Sequence, residues 1–76
     1  MSLKFIGIDP ETPGGGCPSV WVDTATGDIL FQGAEELHAD NRSEIVARSR
    51  LLPGERIVRL PARMRDIIAQ ALDNTA

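Results

Sequence analysis

Four arginines, Arg56, Arg59, Arg63 and Arg65, crowd around Pro61. A guanidinium is a rigid planar fork that holds a carboxylate or phosphate through paired, charge-assisted hydrogen bonds, so this spacing has the chemistry of an anion receptor. Pro61 suits the first position of a helix, where its missing N–H costs nothing, and the free N–H groups of that turn would join the same receptor. Cations at a helix N-terminus, however, oppose the macrodipole by about 0.3 to 1 kcal/mol each when exposed. Acidic groups are therefore expected beside Arg63 and Arg65. They come either from an external anionic partner, a nucleic acid included, or from the chain itself. Eight of the eleven acidic residues fall in the first 47 positions beside two basic ones, whereas six of the eight basic residues, all arginine, fall in positions 48–65 beside one acidic residue. Asp66 and the acidic N-terminal part are the internal candidates.

The other reactive residue types lack the spacing that chemistry would need. Asp9, Glu11, Asp23 and Asp28 do not follow the order of a calcium loop, and the last two are ordinary residues at the ends of a turn. His38 has no second histidine with which to share a metal. Cys17 is the only cysteine, so it forms no intramolecular disulfide. Gly14-Gly15-Gly16 resembles a phosphate cradle only superficially, because no lysine followed by Ser or Thr opens a helix after it. The reading is a non-enzymatic protein with no catalytic, cofactor or metal site.

The elements that must position the arginines are short. Leu3 to Ile8 reads as a strand, followed by a Pro/Gly loop over 9–18 that is expected to be flexible. Ser19 to Asp23 and Asp28 to Gln32 form the clearest hairpin, closed by Thr24-Ala25-Thr26-Gly27. With Asp23 opposite Asp28, the strand period of two puts Val20, Val22, Ile29 and Phe31 on one apolar face and Trp21 with Leu30 on the other. Trp21 and Leu30 are then either the anchor for a partner protein or a patch covered by a loop or helix of the chain itself. Asn41 with Glu44 has capping-box spacing, which predicts a short helix from about Arg42 to Arg48. After the Pro53-Gly54 turn, Arg56 to Leu60 alternates as a strand. From Pro61 onwards Met64, Ile67, Ile68, Ala71 and Leu72 recur on one helical face, with Asn74 as a stop.

Seventy-six residues make a single domain, 1–76, near the size at which one core supplies only about 3 to 5 kcal/mol. Self-association or a partner protein would add stability. One tryptophan, two phenylalanines and no tyrosine leave little to stack on bases, and a pI of 4.9 disfavours general phosphate binding, so nucleic acid is the weaker partner class. No basic leader and no stretch near the roughly 20 apolar residues of a membrane span is read in the sequence, which gives a cytoplasmic expectation and no membrane contact.

Phe5-Ile6-Gly7-Ile8-Asp9-Pro10, Cys17-Pro18-Ser19-Val20-Trp21-Val22-Asp23-Thr24-Ala25-Thr26-Gly27-Asp28 and Val58-Arg59-Leu60-Pro61-Ala62-Arg63-Met64-Arg65 together resemble a family of small uncharacterised actinobacterial proteins. The likeness spans the chain apart from its middle. Such proteins are often encoded near helix-turn-helix regulators, so the resemblance implies an accessory or regulatory role and brings no catalytic residue. The expected fold is α+β: a small, mainly antiparallel sheet of hairpin 19–32, strand 56–60 and strand 3–8, with helix 61–73 packed on one face. The expected function is a protein-interaction module using Trp21 and Leu30, the arginine junction, or both; the alternative is an anion or nucleic-acid site at Arg56, Arg59, Arg63 and Arg65.

Overall fold

Gly27, at φ 83°, takes the left-handed conformation that closes the hairpin turn, and the turn is fixed by Asp23, whose carbonyl accepts the Gly27 N–H at 2.7 Å and whose carboxylate accepts the Ala25 N–H at 2.9 Å. The computed structural model describes residues 2–11 and 18–73. In it the hairpin strands β2 (Ser19–Asp23) and β3 (Ile29–Gln32) pair in the register that their alternation predicts, with Val22 opposite Ile29, Trp21 opposite Leu30 and Val20 opposite Phe31. Strand β1 (Leu3–Ile8) adds antiparallel to β2, giving a three-stranded sheet of order β1-β2-β3. The fold is α+β.

A bulge interrupts β1. The pairing steps from Phe5 opposite Trp21 to Gly7 opposite Val20, leaving Ile6 as the extra residue. Lys4, Ile6 and Gly7 thereby share the side of Val20 and Val22, while Leu3, Phe5 and Ile8 share the side of Trp21. Helix α2 (Arg65–Leu72) and a preceding 3-10 turn (Ala62–Met64) close the Val20 side. The core there consists of Val20, Val22, Met64 and Ala71, with Ile6, Ile29, Leu60, Ile67 and Ile68 packed around it. The helix comes very close to the sheet at Gly7, where a Cβ would lie 2.7 Å from Cγ2 of Ile67.

Several expectations need correction. The strand of 56–60 is reduced to β5 (Val58–Arg59), which does not join the hairpin sheet but pairs with β4 (Ala34–Glu35) in a separate two-stranded ladder. Its partner strand is short because it runs only from Gly33, pressed against Leu60 and the Arg59 carbonyl, to Glu36, where the chain turns towards a helix. That helix, α1, spans Ala39–Arg48 and starts three residues before the predicted Arg42; its N-cap is His38, with no side-chain cap. The Asn41–Glu44 box is not formed because the Asn41 amide instead donates to Glu36 at 3.0 Å. Phe31 is exposed, since α2 packs on β1 and β2 and β3 is an edge. Leu72 is 68% exposed and belongs to the end of α2, beyond the sheet. At the two ends of the 9–18 segment the Asp9 N–H donates to the Pro18 carbonyl at 2.9 Å, and Asp9 is buried; the expected flexibility of the segment falls mainly on residues outside those described. Thr12 to Cys17 and Asn74 lie outside the described residues.

Candidate functional site

The side of the sheet away from α2 is open. Phe5, Trp21 and Leu30 lie in one row across all three strands, with Leu3 and Ile8 at either end of β1 on the same side. Phe5 and Leu3 are each half exposed, and Ile8 and Leu30 nearly so. Phe5 meets the Trp21 ring edge-on with centroids 5.0 Å apart, a geometry aromatic pairs favour. The indole lies back along its own strand: Nε1 donates to the Ser19 hydroxyl at 2.9 Å, which donates in turn to Gln32 Oε1 at 2.7 Å. The indole N–H is thus already bonded within the sheet. A partner can remove water from this face without leaving an unpaired donor, which would otherwise cost about 1 to 3 kcal/mol. At the hairpin end the same face carries Asp23, opposite Leu3, and Asp28, two residues before Leu30.

The arginine junction is arranged differently from the row of forks that the sequence suggests. Arg63 grips Asp9 in bidentate fashion, at 2.7 Å from Nε and 2.6 Å from Nη2, with the Asp9 side chain fully buried. The Asp9 carboxylate also accepts the Glu11 N–H at 3.0 Å. This bond to Asp9 holds the Arg63 guanidinium above its ordinary pKa, against the opposing effect of burial. Arg59 places Nε and Nη2 on one oxygen of Glu36, at 3.1 and 2.7 Å. Arg56 donates to the neighbouring Glu55 carbonyl, and Arg65 forms no ion pair among the described residues. The compensating acids for the two fork-bearing arginines are therefore Asp9 and Glu36, both from the acidic N-terminal part. Asp66, the other internal candidate, forms no ion pair among the described residues.

Glu36 is a residue that sequence reasoning missed. It is nearly buried and receives Arg59, the Asn41 amide and the His38 N–H at 3.2 Å. Arg42 meanwhile donates to its carbonyl at 2.8 Å. These bonds, that of Arg59 first, pull its pKa from 4.5 to about 2. One carboxylate so ties β5 to the start of α1. Nothing in its sequence neighbourhood marks it, because its partners lie up to 23 residues away.

A cleft of about 490 Å³ opens between Pro18, the Gly33–Ala34 step and the Arg59–Ala62 step. Its one charged lining residue is Arg59, whose fork is already on Glu36. Among the described residues no group of three or more His, Cys, Asp or Glu could hold a metal ion, and no helix is long and apolar enough to cross a membrane. Of the residues singled out by sequence, Trp21 and Leu30 come together on the open face with Leu3, Phe5 and Ile8 beside them. Arg59 and Arg63 lie instead in two separate ion pairs. The period of two in Leu3 and Phe5 signals their common side, but the bulge that returns Ile8 to it leaves no mark in the sequence. The chain matches no protein-family model, no curated protein and no solved structure.

Proposed function

We propose that the chain is a non-enzymatic interaction module that binds another protein chain through the open face of its sheet. The observation that carries this reading is the row Phe5, Trp21 and Leu30, in which Phe5 and Leu30 are exposed and a half-buried Trp21, its indole N–H already bonded, lies between them. An interface is dominated by a few large, desolvated anchors near its centre, tryptophan foremost among them. Trp21 holds that central position. A binding role is favoured over a catalytic one because the side chains best able to do chemistry, Asp9, Glu36, Arg59 and Arg63, are engaged with one another. The same pairing weighs against the anion or nucleic-acid alternative. A cytoplasmic accessory or regulatory role fits both the lone cysteine and the family resemblance.

Two measurements on Trp21 test the proposal. Acrylamide should quench the Trp21 fluorescence of the dilute chain, and Trp21→Ala should retain the far-UV circular dichroism of the wild type while losing its capacity to associate with protein. Because the centre of the face is apolar, that association should change little between low and high salt. An indole inaccessible to quencher in dilute monomer would overturn the reading.

A further inference from the structure

The open face needs an occupant, and the same chain carries an element that needs a cover. Helix α1 has no buried residue; Ile45 and Val46 on it, and Leu37 and Leu52 beside it, are exposed. Packing between elements is concentrated in the three-stranded sheet with α2, and in β4 with β5, so α1 is held mainly by the Glu36 bonds at its start. An amphipathic element exists in a folded chain to bury its apolar side against another layer. Resting on the reading that the open face binds protein, we infer that its occupant is helix α1 of a second copy of this chain, in a reciprocal two-fold dimer.

Two observations choose this occupant. The first is size. The ten residues of α1 make a rod about 15 Å long and 10 Å across. The open face is about 20 Å along β1 and about 10 Å between its outer strand axes, so one short helix covers it, as α2 covers the reverse side. Sheet against sheet would instead bury only a few hundred Å² on each copy, short of the roughly 1,000 Å² total that marks a specific interface. The reciprocal arrangement makes the sheet–helix contact twice.

Charge is the second observation. The hairpin end of the open face is acidic, with Asp23 and Asp28. The far end of α1 is basic, with Arg48 in its last turn and Arg50 just beyond, and neither arginine has an ion pair among the described residues. A two-fold operator satisfies both halves at once: the face of each copy meets the helix of the other, and the assembly closes at two.

A charge exchange tests the inference. Sedimentation equilibrium of the wild-type chain should show a dimer. Asp28→Arg alone sets arginine against arginine, and Arg48→Asp with Arg50→Asp sets acid against acid, so each variant should dimerise about tenfold more weakly or worse, with effects that shrink at high salt. Mixed together, the two variants should restore a heterodimer near wild-type strength, since each interface then joins opposite charges; an unfolded variant would not be rescued by mixing. A wild type that stays monomeric at millimolar concentration, or a dimer indifferent to both variants, overturns the second-copy inference. With a quenchable Trp21 either result leaves the open face as a site for a different protein. A Trp21 already shielded in the monomer overturns both readings.

Discussion

At the scale of the residue, two carboxylates that look unremarkable in the sequence organise the molecule. Asp9 reads as the start of a Pro/Gly loop, and Glu36 as one of a pair of acids before a polar stretch. Their importance comes from arginines 54 and 23 positions away, and no local pattern encodes such a distance. The arginine cluster was legible as needing acid; which acid was not, because that depends on how the chain returns. The depressed pKa of Glu36, about 2 against 4.5, gives a pH signature with a definite sign. A carboxylate whose folded value lies below its unfolded value stabilises the fold fully above the unfolded value, and that contribution is lost as pH falls through the folded value. Glu36→Gln should therefore be less stable than the wild type by a constant margin from pH 7 down to about 5, and the margin should shrink between about pH 4.5 and 2. Urea melts of both proteins across this range check it, and a margin undiminished at pH 2 would contradict the assignment. In the core, Met64 is completely buried and Leu72 is 68% exposed, although both fall on the helical stripe seen in the sequence. Met64→Ala should cost about 2 to 5 kcal/mol, close to the whole stability of a domain this small. Leu72→Ala should cost about 0.5 kcal/mol or less, the range of surface sites. Equal losses in thermal melts would mean that the stripe packs along its whole length.

Elements were legible where their pattern is local and complete. The hairpin register follows from period two and a turn closed by glycine, and the observed pairs are those expected. The C-terminal helix follows from its 3.6-residue stripe, although its first turn is 3-10 and carries the chain onto the sheet at Met64. The strand of 56–60 and the capping box at Asn41 misled because both are weak local preferences. The strand was overruled by pairing with the distant β4, and the capping box by Glu36, five residues before Asn41. The bulge in β1 was beyond sequence reading, yet it decides which side chains reach the open face. Its packing is testable. Because Ile6 is the extra residue, Gly7 faces α2, and an alanine there would put its Cβ 2.7 Å from Cγ2 and 3.1 Å from Cγ1 and Cδ1 of Ile67. A β-branched side chain in contact with a sheet has little room to turn. Gly7→Ala should cost about 1 to 3 kcal/mol, as overpacking does, and Ile67→Ala added to it should recover part of that loss. Melts of the single and double variants decide the matter through their coupling. Strictly additive losses would show that the helix and the bulge do not touch at this point.

At the scale of the whole molecule, the balance of core to surface sets the behaviour. Among the described residues Val20, Val22, Met64 and Ala71 form the buried hydrophobic core, a small one for a chain of 76 residues. The sheet β1-β2-β3 packs with α2 around the core, while the ion pairs Arg42–Glu35 and Arg59–Glu36 join β4, β5 and α1 to one another. A chain built in this way gains stability whenever a partner covers what it leaves open, and if that partner is a second copy, folding and association become a single equilibrium. Stability then depends on concentration, because the dimer binds the folded state and not the unfolded one. Each tenfold rise in concentration adds about 1.4 kcal/mol per dimer, which for two chains of this size raises the Tm by roughly 3 to 6 °C. Scanning calorimetry of the wild type at several concentrations should show that climb. Trp21→Ala, which removes the central anchor without touching Val20, Val22 or Met64, should unfold at a lower temperature that no longer moves with concentration. A wild-type Tm independent of concentration would place all the stability within one chain, and the sheet face and α1 would then have to be accounted for by a partner of different sequence.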